Sequence, residues 1–309
     1  MLFHDIRGTA SALPSNLKGA AMLMIAAALL TVMTVIIKLL GSDLHIMQIL
    51  FMRQVFMTAI VAPQILRDFP GSLETTRPGL QVLRVACALV AMTCGFTAVI
   101  HLPLADATAL GFAKSFFITI FAIFILAESV GPRRWMAVAA GFLGVAVMMQ
   151  PGTDSFSYYG LMALVGAAGA GFVMVLIRLM SRTERPITIL SWQAVGVGLA
   201  TAGPAIYFWQ WPTPGEWMLL IGLGAVSYVA QMSNIMAYKW GEASLLASLD
   251  YVRLLYATLF GWWLFASLPG INTWIGAGII VVSSIYMVWR EAKHHQELTR
   301  SPHGRGYTT

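Results

Sequence analysis

The sequence predicts an all-α integral membrane protein of ten transmembrane helices arranged as two inverted five-helix repeats, and three observations carry that prediction. The first is composition: of 309 residues, 58% are hydrophobic and only 10% charged, where a soluble domain would be roughly 25% charged. So few charges cannot coat the one or two globular domains, at ~150 residues each, that a chain of this length would otherwise form. The second is spacing, because turn-like, charged or proline-containing breaks cut the chain into apolar segments near the ~20 residues that span a bilayer. The third is a self-similarity at a constant offset of 139 residues.

Residues 1–16 read as a polar cytoplasmic segment, and the apolar run Leu17 to Leu40 follows it. That run exceeds the ~7 to 15 residues of a cleaved signal's apolar region, so it is expected as the first transmembrane helix. His45 to Leu66, Gly79 to Ile100, Leu104 to Ala127 and the short Arg134 to Met149 complete repeat 1, residues 17–150. Repeat 2, residues 155–290, holds Tyr158 to Met180, Ile187 to Trp209, Glu216 to Tyr238, Ala243 to Ala266 and Asn272 to Arg290. Residues 291–309, with Lys293, His294, His295, Arg300 and Arg305 among Gly, Ser and Pro, are expected to form a solvated, disordered basic cytoplasmic tail. Cys87 and Cys94 lie seven residues apart in one apolar run. They read as small core residues on one helix face, without a disulfide or metal site.

Orientation follows from Lys and Arg, which concentrate in cytoplasmic loops. With the N-terminus inside, all but five of the nineteen basic residues become cytoplasmic, and the opposite loops around Ser42, Leu102, Thr153, Pro212 and Gly270 contain none. Both termini are therefore expected in the cytoplasm of a cell with a bacterial-type inner membrane. The formal net charge of +6 is accounted for by this asymmetry without nucleic acid. The expected partners are a small-molecule metabolite and the lipid bilayer; a homodimer is left open.

The 139-residue offset matches Ala98 with Ala237, Leu110 with Leu249, Thr119 with Thr258, Phe121 with Phe260, Gly131 with Gly270 and Trp135 with Trp274. An offset of 140 lays Val35 to Leu40 over Val175 to Met180. A unit with five spans has an odd number, so its second copy enters from the opposite side. Inverted repeats of this kind are typical of secondary transporters, with the solute site near the midplane at their interface. No HExxH, Walker A or GxSxG motif occurs, so neither an enzyme nor an ATP-driven pump is expected, and no cofactor is implied.

The five basic residues left inside spans are Lys38, Arg53, Arg84, Lys114 and Arg253. An ionisable group in hydrocarbon costs ~2.5 to 3.5 kcal/mol on insertion scales and so marks a functional path. Lys38 and Arg84 lie within about two turns of a span end, where snorkelling to the headgroups is the expectation. Arg53, Lys114 and Arg253 sit ~8 to 11 residues into their spans, about midway through the core at 1.5 Å per residue. Lys114 and Arg253 are equivalent under the 139-residue offset, and Asp250 stands one turn before Arg253 on the same face. Two readings stay open for this trio: a neutralised Asp250–Arg253 pair that fixes packing, or a central cavity in which the cations bind a polar or anionic solute group. Phe112, Phe117, Tyr251 and Tyr256 flank the cations and are candidates to stack on a planar solute. Gln193 and Asn234 can supply hydrogen bonds to it, or join helix to helix.

The stretch His101-Leu-Pro-Leu-Ala-Asp-Ala-Thr-Ala-Leu-Gly-Phe-Ala-Lys-Ser-Phe-Phe through Glu128, followed by Pro132-Arg-Arg-Trp135 and the helix carrying Gly141 and Gly144, resembles the end of an EamA domain, the repeat unit of the drug/metabolite transporter superfamily. That resemblance implies ten spans and carriage of a small organic metabolite by alternating access. It makes riboflavin uptake the specific expectation, with carriers or exporters of an organic anion, an amino acid or an S-adenosylmethionine-like metabolite as alternatives. The alternative of another class is a non-transporting membrane scaffold. Two departures stand out: Ser115 and Leu254 stand near the place of the mid-helix proline of many relatives, and Ser267 stands where repeat 1 has Glu128. Glu128 is therefore not a symmetric coupling residue.

Overall fold

Seven helices of the computed structural model are long and apolar enough to cross a membrane, and three shorter apolar helices accompany them among the described residues. The structure describes residues 15–71, 73–126, 131–150, 157–180, 183–240, 246 and 249–300. In chain order the helices are α1 (Ser15–Leu40), α2 (Ile46–Arg67), α3 (Pro78–His101), α4 (Leu104–Gly111), α5 (Lys114–Leu126), α6 (Pro132–Met149), α7 (Tyr158–Met180), α8 (Pro186–Tyr207), α9 (Pro214–Trp240), α10 (Val252–Phe265) and α11 (Ile271–Arg300). Together α4 and α5 make one apolar span, Leu104–Leu126. No strand occurs among the described residues. This is what a lipid environment requires, since only a helix satisfies its backbone within one segment away from water.

Proline sets many of the starts: Pro78, Pro132 and Pro186 stand in the first turns of α3, α6 and α8, where the missing N–H costs nothing. Residues Glu291 to Arg300, expected to be disordered, continue α11 as helix. This decapeptide contains Glu, Ala, Lys, Gln, Leu and Arg and no Gly or Pro, a composition of good helix formers.

The packing treats the two halves alike. Helix α1 lies against α9 as α7 lies against α3, and α5 lies against α7 as α10 lies against α1. Equivalent helices pair directly: α2 with α8, and α6 with α11. Where apolar lipid removes the hydrophobic drive between helices, close backbone approach supplies the contact energy. A Cβ on Gly144 would stand 2.7 Å from the Gly276 carbonyl oxygen, and one on Gly276 would stand 2.5 Å from the Gly144 oxygen. A Cβ on Gly166 of α7 would stand 2.8 Å from the Gly95 nitrogen of α3. These glycines are why α6 and α11, and α3 and α7, meet backbone to backbone.

Both ends of the bundle are tied. At one end Gln48 Nε2 donates to the Gln210 carbonyl at 2.7 Å and the Gln210 N–H returns a bond to Gln48 Oε1 at 3.0 Å, while the His45 and Phe208 rings stack 4.0 Å apart. At the other, Arg185 meets Asp68 at 2.7 Å, an exposed pair of small energetic weight. Trp192 Nε1 donates to the Leu73 carbonyl at 3.0 Å. Glu184 Oε1 accepts from the Thr76 N–H at 2.9 Å and the Thr76 hydroxyl at 2.7 Å. Burial alone would raise the Glu184 carboxyl, but the Thr76 bonds, with Thr75 and Arg77 beside it, outweigh burial and hold it below the usual carboxylate range. A carboxyl held low contributes stability above its ordinary range and loses it as pH falls through the lowered one, so this tie weakens in acid.

Candidate functional site

The fourth span of each half is interrupted at the same place. In repeat 1 the Ser115 N–H bonds the Phe112 carbonyl at 3.1 Å, and in repeat 2 the Leu254 N–H bonds the Tyr251 carbonyl at 3.0 Å. Both are three-residue steps, tighter than α-helix, and the 139-residue offset makes them equivalent. Neighbouring bonds, Ala113 to Leu110, Phe116 to Ala113 and Arg253 to Asp250, follow the same pattern. A 3₁₀ stretch inside a helix commonly marks a hinge or a functional site. It arises here without the proline that the resemblance led one to expect.

The cations sit at these interruptions. Lys114 begins α5 directly after the break and is within electrostatic reach of both Asp250 and Arg253. The rings of Phe112 and Tyr251, themselves equivalent under the offset, meet edge to face with centroids 4.7 Å apart. Residues equivalent in two copies touch only near the axis that relates the copies. Lys114, Asp250 and Arg253 therefore gather close to that axis. Among the described residues no ion pair joins Asp250 to Arg253, and Arg253 Nε is buried without a hydrogen-bond partner. Tyr251 lies beside Ser115 and Ser284, and Ser284 Oγ is also buried and unpartnered. Asp106, from the Ala-Asp-Ala-Thr pattern, reaches toward Thr273 of α11.

The remaining sequence candidates divide. Phe117 packs among Phe121 and Phe142, with centroids 6.2 and 5.3 Å away, and so belongs to the packed rings between α5 and α6. Tyr256 and Asn234 are half-buried on α10 and α9, with no ring contact or hydrogen bond to the cation cluster among the described residues. Arg53 is buried on α2, its Nε donating to Ser227 Oγ of α9 at 3.0 Å and its guanidinium 5.8 Å from the Phe96 ring. Glu128 and Thr153 lie outside the described residues.

Lys38 and Arg84 do not snorkel. Lys38 Nζ donates to the carbonyls of Val99, Ile100 and Leu102 at 3.1, 3.0 and 2.6 Å. It thereby caps the C-terminal end of α3, where helix carbonyls and the macrodipole favour a cation. Arg84 is 1% exposed. Its Nη1 donates to the Ile189 carbonyl at 2.9 Å and its Nη2 to Gln193 Oε1 of α8. Nearness to a span end gives depth but not facing: Lys38 turns to the unpaired carbonyls at the end of α3 and Arg84 to a backbone carbonyl and an amide oxygen of α8.

Gln193 also lines a crevice, partly open to the surface and with about 70 Å³ of enclosed space, between α2, α8 and α9. Gln54, Thr58, Tyr228, Gln231 and Met232 are among its other walls. Gln54 and Gln193 are equivalent under the 139-residue offset, a relation that marks them in the sequence once the repeat is known. Among the described residues no cluster of His, Cys, Asp and Glu is suited to a metal ion, and Cys87 and Cys94 are free.

A multi-helix membrane protein built from two like halves, with cations and broken helices where the halves meet, belongs to the class of membrane transporters. The chain belongs to the EamA-like transporter family, whose profile matches residues 17–150 and again 158–289. It is 30% identical over 258 residues to a riboflavin transporter of Brucella anthropi, covering 79% of this chain and 88% of that one. It is 26% identical over 282 residues to an S-adenosylmethionine uptake transporter of Rickettsia prowazekii, covering 91% and 96%. A pseudopaline exporter of Pseudomonas aeruginosa is 25% identical over 270 residues, covering 86% and 94%. One crystal structure superimposes with a TM-score of 0.59 over 92% of this chain and 98% of that chain at 17% identity, a likeness of fold. The chain is accordingly a multi-pass membrane transporter of small molecules and not an enzyme.

Proposed function

We propose that the protein is a bacterial inner-membrane secondary transporter of ten spans, built as two inverted repeats with both termini cytoplasmic, that takes up riboflavin by alternating access. The observation that carries the reading is the meeting of Lys114, Asp250 and Arg253 beside the touching, repeat-equivalent rings of Phe112 and Tyr251. Discontinuous helices at the midplane are where secondary transporters bind solute, and the two hinges let one half rock against the other. Three short helices, Trp135–Met149, Val252–Phe265 and Ile271–Tyr286, supply the spans beyond the seven long ones.

The relatives leave several solutes open, and charge chooses among them. The cluster holds two cations to one carboxylate, which disfavours a sulfonium such as S-adenosylmethionine and favours a neutral or anionic solute with carbonyl acceptors. The deciding experiment is uptake of labelled riboflavin by cells lacking other flavin carriers, with S-adenosylmethionine and a set of organic anions as competitors. Saturable uptake that unlabelled riboflavin alone suppresses is the expected result, and uptake of an anion but not riboflavin would overturn the substrate assignment. For the architecture, a reporter after Thr309 is expected to be cytoplasmic and one inserted at Thr153 periplasmic. A periplasmic C-terminus would overturn both the ten spans and the inversion.

A further inference from the structure

The crevice between α2, α8 and α9 carries chemistry unlike that of the cation cluster. Its polar walls are uncharged: the carboxamides of Gln54, Gln193 and Gln231, the Thr58 hydroxyl and the Tyr228 phenol, with the Met232 thioether beside them. We propose that this crevice is a separate binding site for an uncharged, planar heteroaromatic ring whose edge sets a carbonyl next to an N–H, as in a lactam or imide. The proposal rests on the transport reading to the extent that the ring belongs to the carried solute.

Orientation of the amides supports it. Arg84 has only donors, so the Gln193 oxygen must face it, as the Nη2 bond shows. The Gln193 NH₂ is thereby left as a donor for the crevice. A guanidinium behind the amide polarises it and strengthens that donor toward a carbonyl. Gln54 is 2% exposed and uses one end of its amide on Thr58 Oγ1 at 3.4 Å. Because a hydroxyl both donates and accepts, Gln54 can turn its other end either way. Gln231 makes no hydrogen bond among the described residues and also offers both roles. One fixed donor beside two adaptable amides matches a carbonyl with a neighbouring N–H. Tyr228 and Met232 supply a ring and a polarisable sulfur for the ligand's faces.

Charge excludes the opposite ligand. No carboxylate lines the crevice, and Arg84 stands one layer behind it with no ion-pair partner among the described residues, its Nε unsatisfied. A cation entering here would meet a guanidinium and no counter-charge. On the orientation proposed above, Gln193 lies about 10 Å in from the cytoplasmic end of α8, seven residues at 1.5 Å each. Gln54 lies about 12 Å in from the opposite end of α2, eight residues at 1.5 Å each, so the crevice lies toward the middle of the bundle beside the axis between the halves, lined by residues other than Lys114 and Arg253.

The test is equilibrium dialysis on the purified full-length protein with four probes: riboflavin, N3-methylriboflavin, lumichrome and S-adenosylmethionine. Riboflavin and lumichrome are expected to bind, since both have the free imide edge, and methylation of N3 is expected to weaken binding about tenfold, the scale of one lost hydrogen bond. Gln54→Leu and Gln231→Leu should weaken riboflavin about as much, and in one of them the penalty of N3-methylation should vanish because its partner is gone. Gln231→Leu strands no hydrogen-bonded neighbour, so it remains informative if Gln54→Leu folds poorly. Equal riboflavin affinity in wild type and both glutamine variants would overturn the crevice site and leave the transport reading standing. Binding of lumichrome that depends on the glutamines, with no riboflavin bound or carried, would keep the site and remove riboflavin as solute. Glutamine-dependent binding of S-adenosylmethionine, or binding of none of the four, would overturn the proposal.

Discussion

Lys114→Ala is expected to abolish solute transport, to below a few per cent of wild type, while membrane abundance stays close to normal. Lys114 starts the second segment of a broken helix, faces a carboxylate and a guanidinium of the other half, and has no hydrogen bond or ion pair among the described residues. A charge so placed costs ~2.5 to 3.5 kcal/mol to insert. Its removal therefore relieves a cost instead of opening a gap. What the alanine loses is the group whose attraction for a solute acceptor must be felt at the axis, where both halves bear on it. The measurement is initial uptake normalised to folded protein. Wild-type uptake by the alanine variant would remove Lys114 from the solute path, and loss of abundance in step with loss of uptake would make it structural. Lys114→Arg is a useful companion: it keeps the charge but is bulkier and forked, so partial transport points to charge and none to shape.

Much of this centre was legible in the sequence, and the reason is physical. Two cations deep in apolar runs are costly, and their equivalence under one offset left little room for accident; the structure brings Lys114 and Arg253 within reach of each other and of Asp250. The hinge was not legible. Ser115 and Leu254 stand near the place of the proline that many relatives have, yet the three-residue hydrogen-bond steps occur at those residues in both halves. Proline is one way to interrupt a helix, and tertiary packing of equivalent rings such as Phe112 and Tyr251 accompanies another here. Arg84 and Lys38 were misread because residue count along a helix gives depth while facing depends on which neighbour packs there. The crevice was hidden for the same reason: glutamines inside apolar helices join helix to helix as readily as they line a cavity, and only the placement of α2, α8 and α9 distinguishes the two.

Asp250→Asn is expected to lower the yield of folded protein, and adding Arg253→Gln is expected to restore it without restoring transport. The argument concerns the balance of the trio more than a single bond. With Asp250 ionised the cluster carries two positive charges and one negative; with Asn it carries two positive charges and no counter-charge. At an effective dielectric near 20, unit charges some 6 to 8 Å apart interact by about 2 to 3 kcal/mol, so trading an attraction for an unrelieved repulsion is enough to depopulate a marginally stable fold. Arg253→Gln then returns the net charge to that of Lys114 alone, equal to the original excess. No ion pair joins Asp250 to Arg253 among the described residues, so the penalty should fall short of the ~3 to 5 kcal/mol typical when one partner of a contacting buried pair is removed. Asp250 has a second role to distinguish, because a carboxylate facing two cations at the hinge is also where a proton could be taken up and released. That role predicts a different pattern: Asp250→Asn folds normally and exchanges solute across the membrane, yet no longer concentrates it when a pH gradient is imposed, since Asn cannot change its protonation state. Both quantities are read on the same reconstituted vesicles, folded yield by size exclusion and accumulation with and without the gradient. Normal yield of Asp250→Asn alone would overturn the charge-balance account, and if gradient-driven accumulation were lost with it, Asp250 would be the coupling group.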